Sequence, residues 1–156
     1  MRIQIAVVGR LRGGPEAALS ADYAARAAAA GKQIGFKSVD IAEVEGRPPG
    51  DPRAEATALY RATPDDARKI LLDERGAEWT SRQLAEKLAR WRDDGVPCVT
   101  FWIGGADGVS QSVKDNADEK LAFGRQTWPH RLVRVMISEQ VYRAVTILCG
   151  TPYHRD

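Results

Sequence analysis

The sequence is poor in several residues that chemistry often needs. It has two cysteines and two histidines in 156 residues. Cys98 and Cys149 lie too far apart to suggest a disulfide framework or a zinc site. Cys98 reads as a small core residue, and Cys149 as another near a helix end. No run of about 18 uncharged apolar residues exists, so no transmembrane helix is expected. The apolar run in MRIQIAVVGR is too short for a secretion signal and reads as a strand. These absences point to the cytoplasm, with no membrane partner. No repeat, low-complexity tract or linker divides the chain, so one domain over residues 1–156 is expected. A large excess of charge is missing too. The formal net charge is +2 and the pI about 8.6, short of the basic footprint of a free-standing nucleic-acid binder.

What charge there is falls unevenly. From Leu121 onward the basic residues include Arg125, Arg131, Arg134, Arg143 and Arg155, against the acids Glu139 and Asp156. A basic C-terminal quarter suits an anionic partner, although an ordinary solvated surface has the same composition.

Strand-like and helix-like segments alternate. IQIAVVG (3–9) is a β-branched run ending at glycine. Pro15 opens an alanine-rich helix that stops at Gly31. GFKSVDIAEV (35–44) reads as a second strand. Asp51 and Pro52 open a second helix. ILLD within RKILLDERG (68–76) is a third strand ending in a polar turn. Thr80 and Gln83 form a capping box before a periodic helix that ends at Gly95. PCVTFWIGG (97–105) is a fourth strand. VSQSVKDNADEK reads as a short polar helix, LAFGRQTWP (121–129) as irregular, and 130–150 as a long final helix. Alternation of this kind predicts an α/β fold with a mostly parallel sheet and helices on both faces. The final helix is apolar on nearly every side, which predicts burial from two directions, the second being another subunit.

Four stretches could carry chemistry. FWIGGADGVS (101–110) runs a strand into glycines, whose backbone can approach a ligand at the carboxyl ends of strands. Its spacing matches neither the dinucleotide fingerprint nor a phosphate loop, and a tight turn alone would look the same. LLDERG (71–76) ends another strand. If the two strands are neighbours, Leu72 and Gly104 share a crevice suited to a flat adenine. LAFGRQTWPHRL (121–132) needs partners for its amides, which wrapping a polar ligand supplies; a hinge loop is the alternative. The last helix and tail hold Glu139 and Arg143 at pairing distance, His130 and Arg134 on one face, and then Tyr153, His154 and Arg155. Tyrosine stacks on bases, arginine binds phosphate and histidine carries protons. A frayed tail has the same composition.

Together, LLDERG, IGGADGVS, TWPHRLVRVMISEQVYRA and PYHRD closely resemble the ribosomal RNA large subunit methyltransferase H family, a small SPOUT class. The resemblance spans essentially the whole chain. It implies a deep C-terminal trefoil knot, a two-fold homodimer, and S-adenosyl-L-methionine as methyl donor without a metal. It implies methylation of N3 of a pseudouridine in 23S ribosomal RNA within the assembled 70S ribosome. Carried over by position, Leu72, Gly104, Phe123, Gly124, Arg125, Gln126, Thr127 and Trp128 would hold the cofactor. Tyr153, His154 and Arg155 would act at the target base, beside the cofactor loop. His130 and Arg134 would contact RNA or hold the tail. The last four residues are expected to matter for methyl transfer and hardly at all for folding. The competing readings are a related enzyme acting on another RNA, such as transfer RNA, and a non-catalytic ribosome-associated factor.

Overall fold

Five parallel strands form one sheet in the order β2-β1-β4-β3-β5. The computed structural model describes residues 1–155; Asp156, counted above with the C-terminal acids and the tail, lies outside the described residues. The strands are β1 (Arg2–Val8), β2 (Ser38–Val44), β3 (Arg68–Glu78), β4 (Cys98–Ile103) and β5 (Glu119–Ala122). Between and after them run α1 (Pro15–Gly31), α2 (Pro52–Ala62), α3 (Ser81–Asp93), α4 (Gln111–Asn116) and α5 (His130–Cys149).

The central strands β1 and β4 are buried on both faces, as their continuous apolar runs require. Successive side chains divide between two cores. Ile3, Ile5, Val7, Val99, Phe101 and Ile103 pack under α1, α3 and α5. Ala6, Val8 and Trp102 pack under α2 and α4 with Leu59 and Val113. Cys98 is buried as expected, and burial pushes its thiol pKa up. Cys149 is only half-buried.

Local signals set several boundaries. Asp51 Oδ1 accepts from the Arg53 N–H at 2.9 Å at the start of α2, and the Thr80–Gln83 capping box is present. Gly150, at φ +67°, closes α5. The second strand begins at Ser38, later than expected, because Gly35 at φ +85° closes a 3-10 turn first.

One strand escaped the sequence pattern. The segment read as a polar helix running into an irregular stretch contains only the short α4 and then β5. β5 is brief, and just two of its side chains, Leu121 and Ala122, are buried. Its first residue, Glu119, accepts from Arg68 at 2.9 Å and Lys87 at 2.6 Å. Charge partners supplied by β3 and α3 thus anchor a strand that hydrophobic alternation does not announce.

The chain itself supplies two neighbours to α5. Within this chain α1 and α3 both pack on it. Near its start Leu132 remains 41% exposed, and Trp128, just before it, 38%.

Candidate active site

The carboxyl ends of β4, β3 and β5 lie side by side, the position where open α/β sheets bind ligands. A crevice of about 410 Å³ opens there, within the range of small-molecule sites. Three loops build it.

The first follows β4. Gly105 and Gly108 face each other in an antiparallel bridge, and the Gly108 N–H donates to Gly105 O at 3.1 Å. Gly108 sits at φ +81°. A Cβ on Gly104 would lie 2.5 Å from Val109 Cγ1 and 3.2 Å from Gly108 O, so only glycine lets the turn fold back this tightly.

The second interrupts β3. Leu72 and Ala77 both register against Leu121 of β5, and residues 73–76 arch out of the ladder between them. The arch closes at Gly76, where a Cβ would stand 2.6 Å from Lys120 C and 2.7 Å from Leu121 N. Asp73, Glu74 and Arg75 border the crevice from this arch.

The third is the irregular segment after β5. The Trp128 indole N–H donates to Phe123 O at 3.1 Å, closing the loop on itself. The Thr127 hydroxyl donates to Glu74 at 2.9 Å, tying it to the arch. α5 then starts at His130. Its first N–H groups have no partner within the helix, so the positive end of the helix dipole faces the crevice that His130 borders.

Most of the residues expected around a cofactor therefore meet in one place. Leu72, Gly104, Phe123, Gly124, Gln126, Thr127 and Trp128 all line the crevice. Arg125 does not. It is exposed and borders a neighbouring open depression with Glu74, Arg75, Gly76 and Glu78. Asp107 and Lys114 line the crevice as well; nothing in their local sequence distinguishes them from surface charges.

The tail forms a second cluster. Glu139 is its centre. Its Oε1 accepts from Arg143 Nε at 2.9 Å and Nη2 at 2.5 Å, and from the Tyr153 hydroxyl at 2.9 Å. The Tyr153 ring meets Tyr142 edge-on at 4.7 Å between centroids, and Arg143 lies over it at 4.8 Å. Burial, with Tyr23 and Glu139 as neighbours, pushes the Tyr153 pKa upward. His154 Nδ1 lies 3.3 Å from Arg143 Nη1. Tyr153 and His154 are thus packed onto α5.

The two clusters do not converge within one chain. His130 and Glu139 are nine residues apart on α5, about 14 Å along a helix axis at 1.5 Å per residue. Arg134 lies between them and turns elsewhere. It is 7% exposed, and its Nη1 is 2.5 Å from Glu43 Oε1. In this chain its guanidinium meets Glu43, not the tail.

Among the described residues no group of three or more His, Cys, Asp or Glu side chains is arranged to hold a metal ion. No helix is long and apolar enough to cross a membrane.

A parallel α/β sheet with a glycine-turned crevice at its carboxyl edge defines a class that comparison with known proteins makes specific. The family model described as a predicted SPOUT methyltransferase matches residues 1–154. The ribosomal RNA large subunit methyltransferase H of Paracoccus denitrificans (strain Pd 1222) is 53% identical over 156 residues, covering all of both chains. That of Hyphomonas neptunium (strain ATCC 15444) is 51% identical over 155 residues, covering 99% of each. That of Phenylobacterium zucineum (strain HLK1) is 53% identical over the full length of both. The chain belongs to the SPOUT methyltransferases, and within them to the ribosomal RNA large subunit methyltransferase H family.

Proposed function

We propose that this chain is an S-adenosyl-L-methionine-dependent methyltransferase that methylates N3 of a pseudouridine in 23S ribosomal RNA, within the assembled 70S ribosome of the cytoplasm. The carrying observation is the meeting of Leu72, Gly104 and the Phe123–Trp128 loop in one crevice at the carboxyl edge of the sheet. The crevice fits the cofactor in kind. Leu72, Ile103 and Leu121 give it an apolar wall for a flat adenine. The backbone of the glycine turn, which a single Cβ at Gly104 would block, offers amides and carbonyls. The start of α5 offers a positive field. When bound, S-adenosyl-L-methionine supplies an electrophilic methyl group on a sulfonium. On this reading the last part of the chain also carries the trefoil knot of the class.

The chain's own contribution is placement first. Holding two reactants in line supplies roughly 7–11 kcal/mol in well-oriented cases. An imide nitrogen is a poor nucleophile until it loses its proton, and assistance with that proton typically adds about 10²–10⁴-fold. In this reading Tyr153 walls the target base while His154 and Arg155 act on it. His154, whose Nδ1 lies 3.3 Å from Arg143 Nη1, is the candidate proton acceptor, and Arg155 the candidate for stabilising the imide anion.

A crevice and a tail at opposite ends of one helix support a two-fold homodimer. Antiparallel packing of two α5 helices would bring each tail to the other chain's crevice. The exposed Trp128 and Leu132 supply apolar surface for it. The direct test is mass spectrometry of 23S ribosomal RNA from cells with and without this protein. Loss of one methylated pseudouridine supports the reading; an unchanged RNA rejects it. Mixing a crevice variant with a tail variant tests the shared site, because only a dimer with exchanged tails regains activity.

A further inference from the structure

The carboxyl edge of the sheet continues past the crevice, over β1 and β2, and there the β1–α1 loop stands. Its sequence, GRLRGG (9–14), places Arg10 and Arg12 beside glycines. Gly9, Gly13 and Gly14 all have positive φ, and a Cβ on Gly13 would meet nothing within 4 Å. Such a loop would ordinarily be slack. Here it is anchored. The Leu11 N–H donates to Glu43 Oε1 at 3.1 Å, and Arg134 Nη1 holds the same oxygen. Burial opposes ionisation of Glu43, but Arg134 and the Leu11 N–H outweigh it and keep its pKa below the usual carboxylate value.

The anchor is costly. Arg134 is nine-tenths buried, and its Nε is buried with no hydrogen-bond partner. Sequestering a guanidinium for one loop is hard to explain by stability alone, since a buried pair rarely outdoes an apolar replacement. The exposed surface explains it better. Arg10 is paired only loosely, with Glu45 at 3.5 Å across an exposed contact. Arg12 and Arg131 are exposed. Arg131 precedes Arg134 by three residues on the same side of α5, next to His130 at the crevice. Arg10 and Arg12 follow β1 at the carboxyl edge of the sheet, and Arg131 follows His130, which borders the crevice.

We infer that the β1–α1 loop is a phosphate-binding surface for the RNA substrate, with Arg10 and Arg12 as its contacts and Arg134, acting through Glu43, as the residue that positions it. This rests on the reading above that the substrate is ribosomal RNA. It gives Arg134 a place in RNA recognition without direct contact. It also supplies phosphate contacts that a net charge of +2 leaves scarce.

The test measures equilibrium binding of the full-length protein to purified 70S particles across a salt series, with calorimetry of S-adenosyl-L-methionine binding in parallel. Replacing both loop arginines (Arg10→Gln with Arg12→Gln) should weaken particle binding about tenfold near 0.1 M salt and reduce the salt slope by about 1.5, at 0.7–0.9 per phosphate contact. Cofactor affinity should stay within twofold. Glu43→Gln should weaken particle binding too, but add nothing in the background lacking both arginines. A merely structural role would make the losses add. Wild-type affinity and slope in the double variant overturn the inference, as does full additivity of Glu43→Gln. If Glu43→Gln fails to fold, as thermal melting would show, the exposed arginine pair decides alone. A wild-type protein that leaves 23S ribosomal RNA unmethylated rejects the function proposed above, while the binding slopes still judge the loop.

Discussion

The Tyr153 hydroxyl and the Arg143 guanidinium converge on a single oxygen, Glu139 Oε1, at 2.9 Å and 2.5 Å. One carboxylate on α5 therefore holds both Arg143, one turn further along the helix, and Tyr153 of the tail that follows it. Arg26 of α1 adds to the cluster, lying 4.2 Å from the Tyr142 ring centroid and donating to the Tyr142 hydroxyl at 2.8 Å. The tail is a packed element built from polar groups.

Glu139→Gln should release the tail. The lost charge-assisted bonds are partly exposed, so the expected destabilisation is about 1–2 kcal/mol, a fall in Tm of roughly 2–8 °C for a chain of this size. Methyl transfer should fall more than about tenfold with the tail's positioning lost, while calorimetric cofactor affinity changes less, because no residue of the tail lines its own chain's crevice. Unchanged methyl transfer with a lowered Tm would refute the tail's positioning role.

Tyr153 should resist ionisation. Its pKa is raised in the folded chain above the ordinary value of 10.0. The protonated form is the one folding favours, so its contribution is complete below pH 10 and is lost as pH rises toward the folded pKa. Tyr153→Phe should leave the ultraviolet tyrosine titration near pH 10 unchanged, because Tyr153 is still protonated there. A loss of absorbance change at that pH in the variant would contradict the packing.

Gly104→Ala and Gly76→Ala should separate two uses of glycine. The first drives a methyl group into Val109 and toward Gly108 O, reshaping the turn that lines the crevice. Cofactor affinity should drop at least about tenfold, a cost of about 1.4 kcal/mol, with a modest change in Tm. The second meets the backbone of Lys120 and Leu121 and prises β3 from β5, costing about 1–3 kcal/mol of stability. Reversed outcomes in melting and calorimetry would show that the arch and the turn are misassigned.

Glu119 should govern part of the acid limb of stability. Burial alone would raise its pKa, yet Lys87 and Arg68 outweigh that and hold it below the usual 4.5. The contribution is present above pH 4.5 and is lost as pH falls below it. Glu119→Gln should lower Tm at pH 7 and flatten the decline below pH 4.5, as followed by circular dichroism. Parallel acid limbs for the two proteins would remove Glu119 from that role.

The order of most elements is legible in the sequence because each carries its own local signal. Asp51 caps α2, Thr80 and Gln83 box α3, and β1 and β4 are continuous apolar runs. The crevice is legible by a different route, from the motifs LLDERG, IGGADGVS and TWPHRL together. β5 is not legible, because its ion pairs with Arg68 and Lys87 join residues 51 and 32 positions away. The polar turn after ILLD is legible, but the return of β3 to the ladder at Ala77 and Glu78 is not, since it depends on the backbone of β5.

By itself, then, the sequence determined the alternation of strands and helices, the loops that bear the site, and the family, since short-range periodicity, caps and motifs are properties of contiguous residues. The tertiary structure decided where the charged side chains of the last helix go. Arg134 turns inward to Glu43 and a distant loop, and Tyr153 turns back to Glu139. The crevice and the tail sit at opposite ends of a rigid 20-residue helix. Helical spacing lets a residue reach either neighbour on its face, and only the partners that packing delivers from far along the chain settle which contact forms.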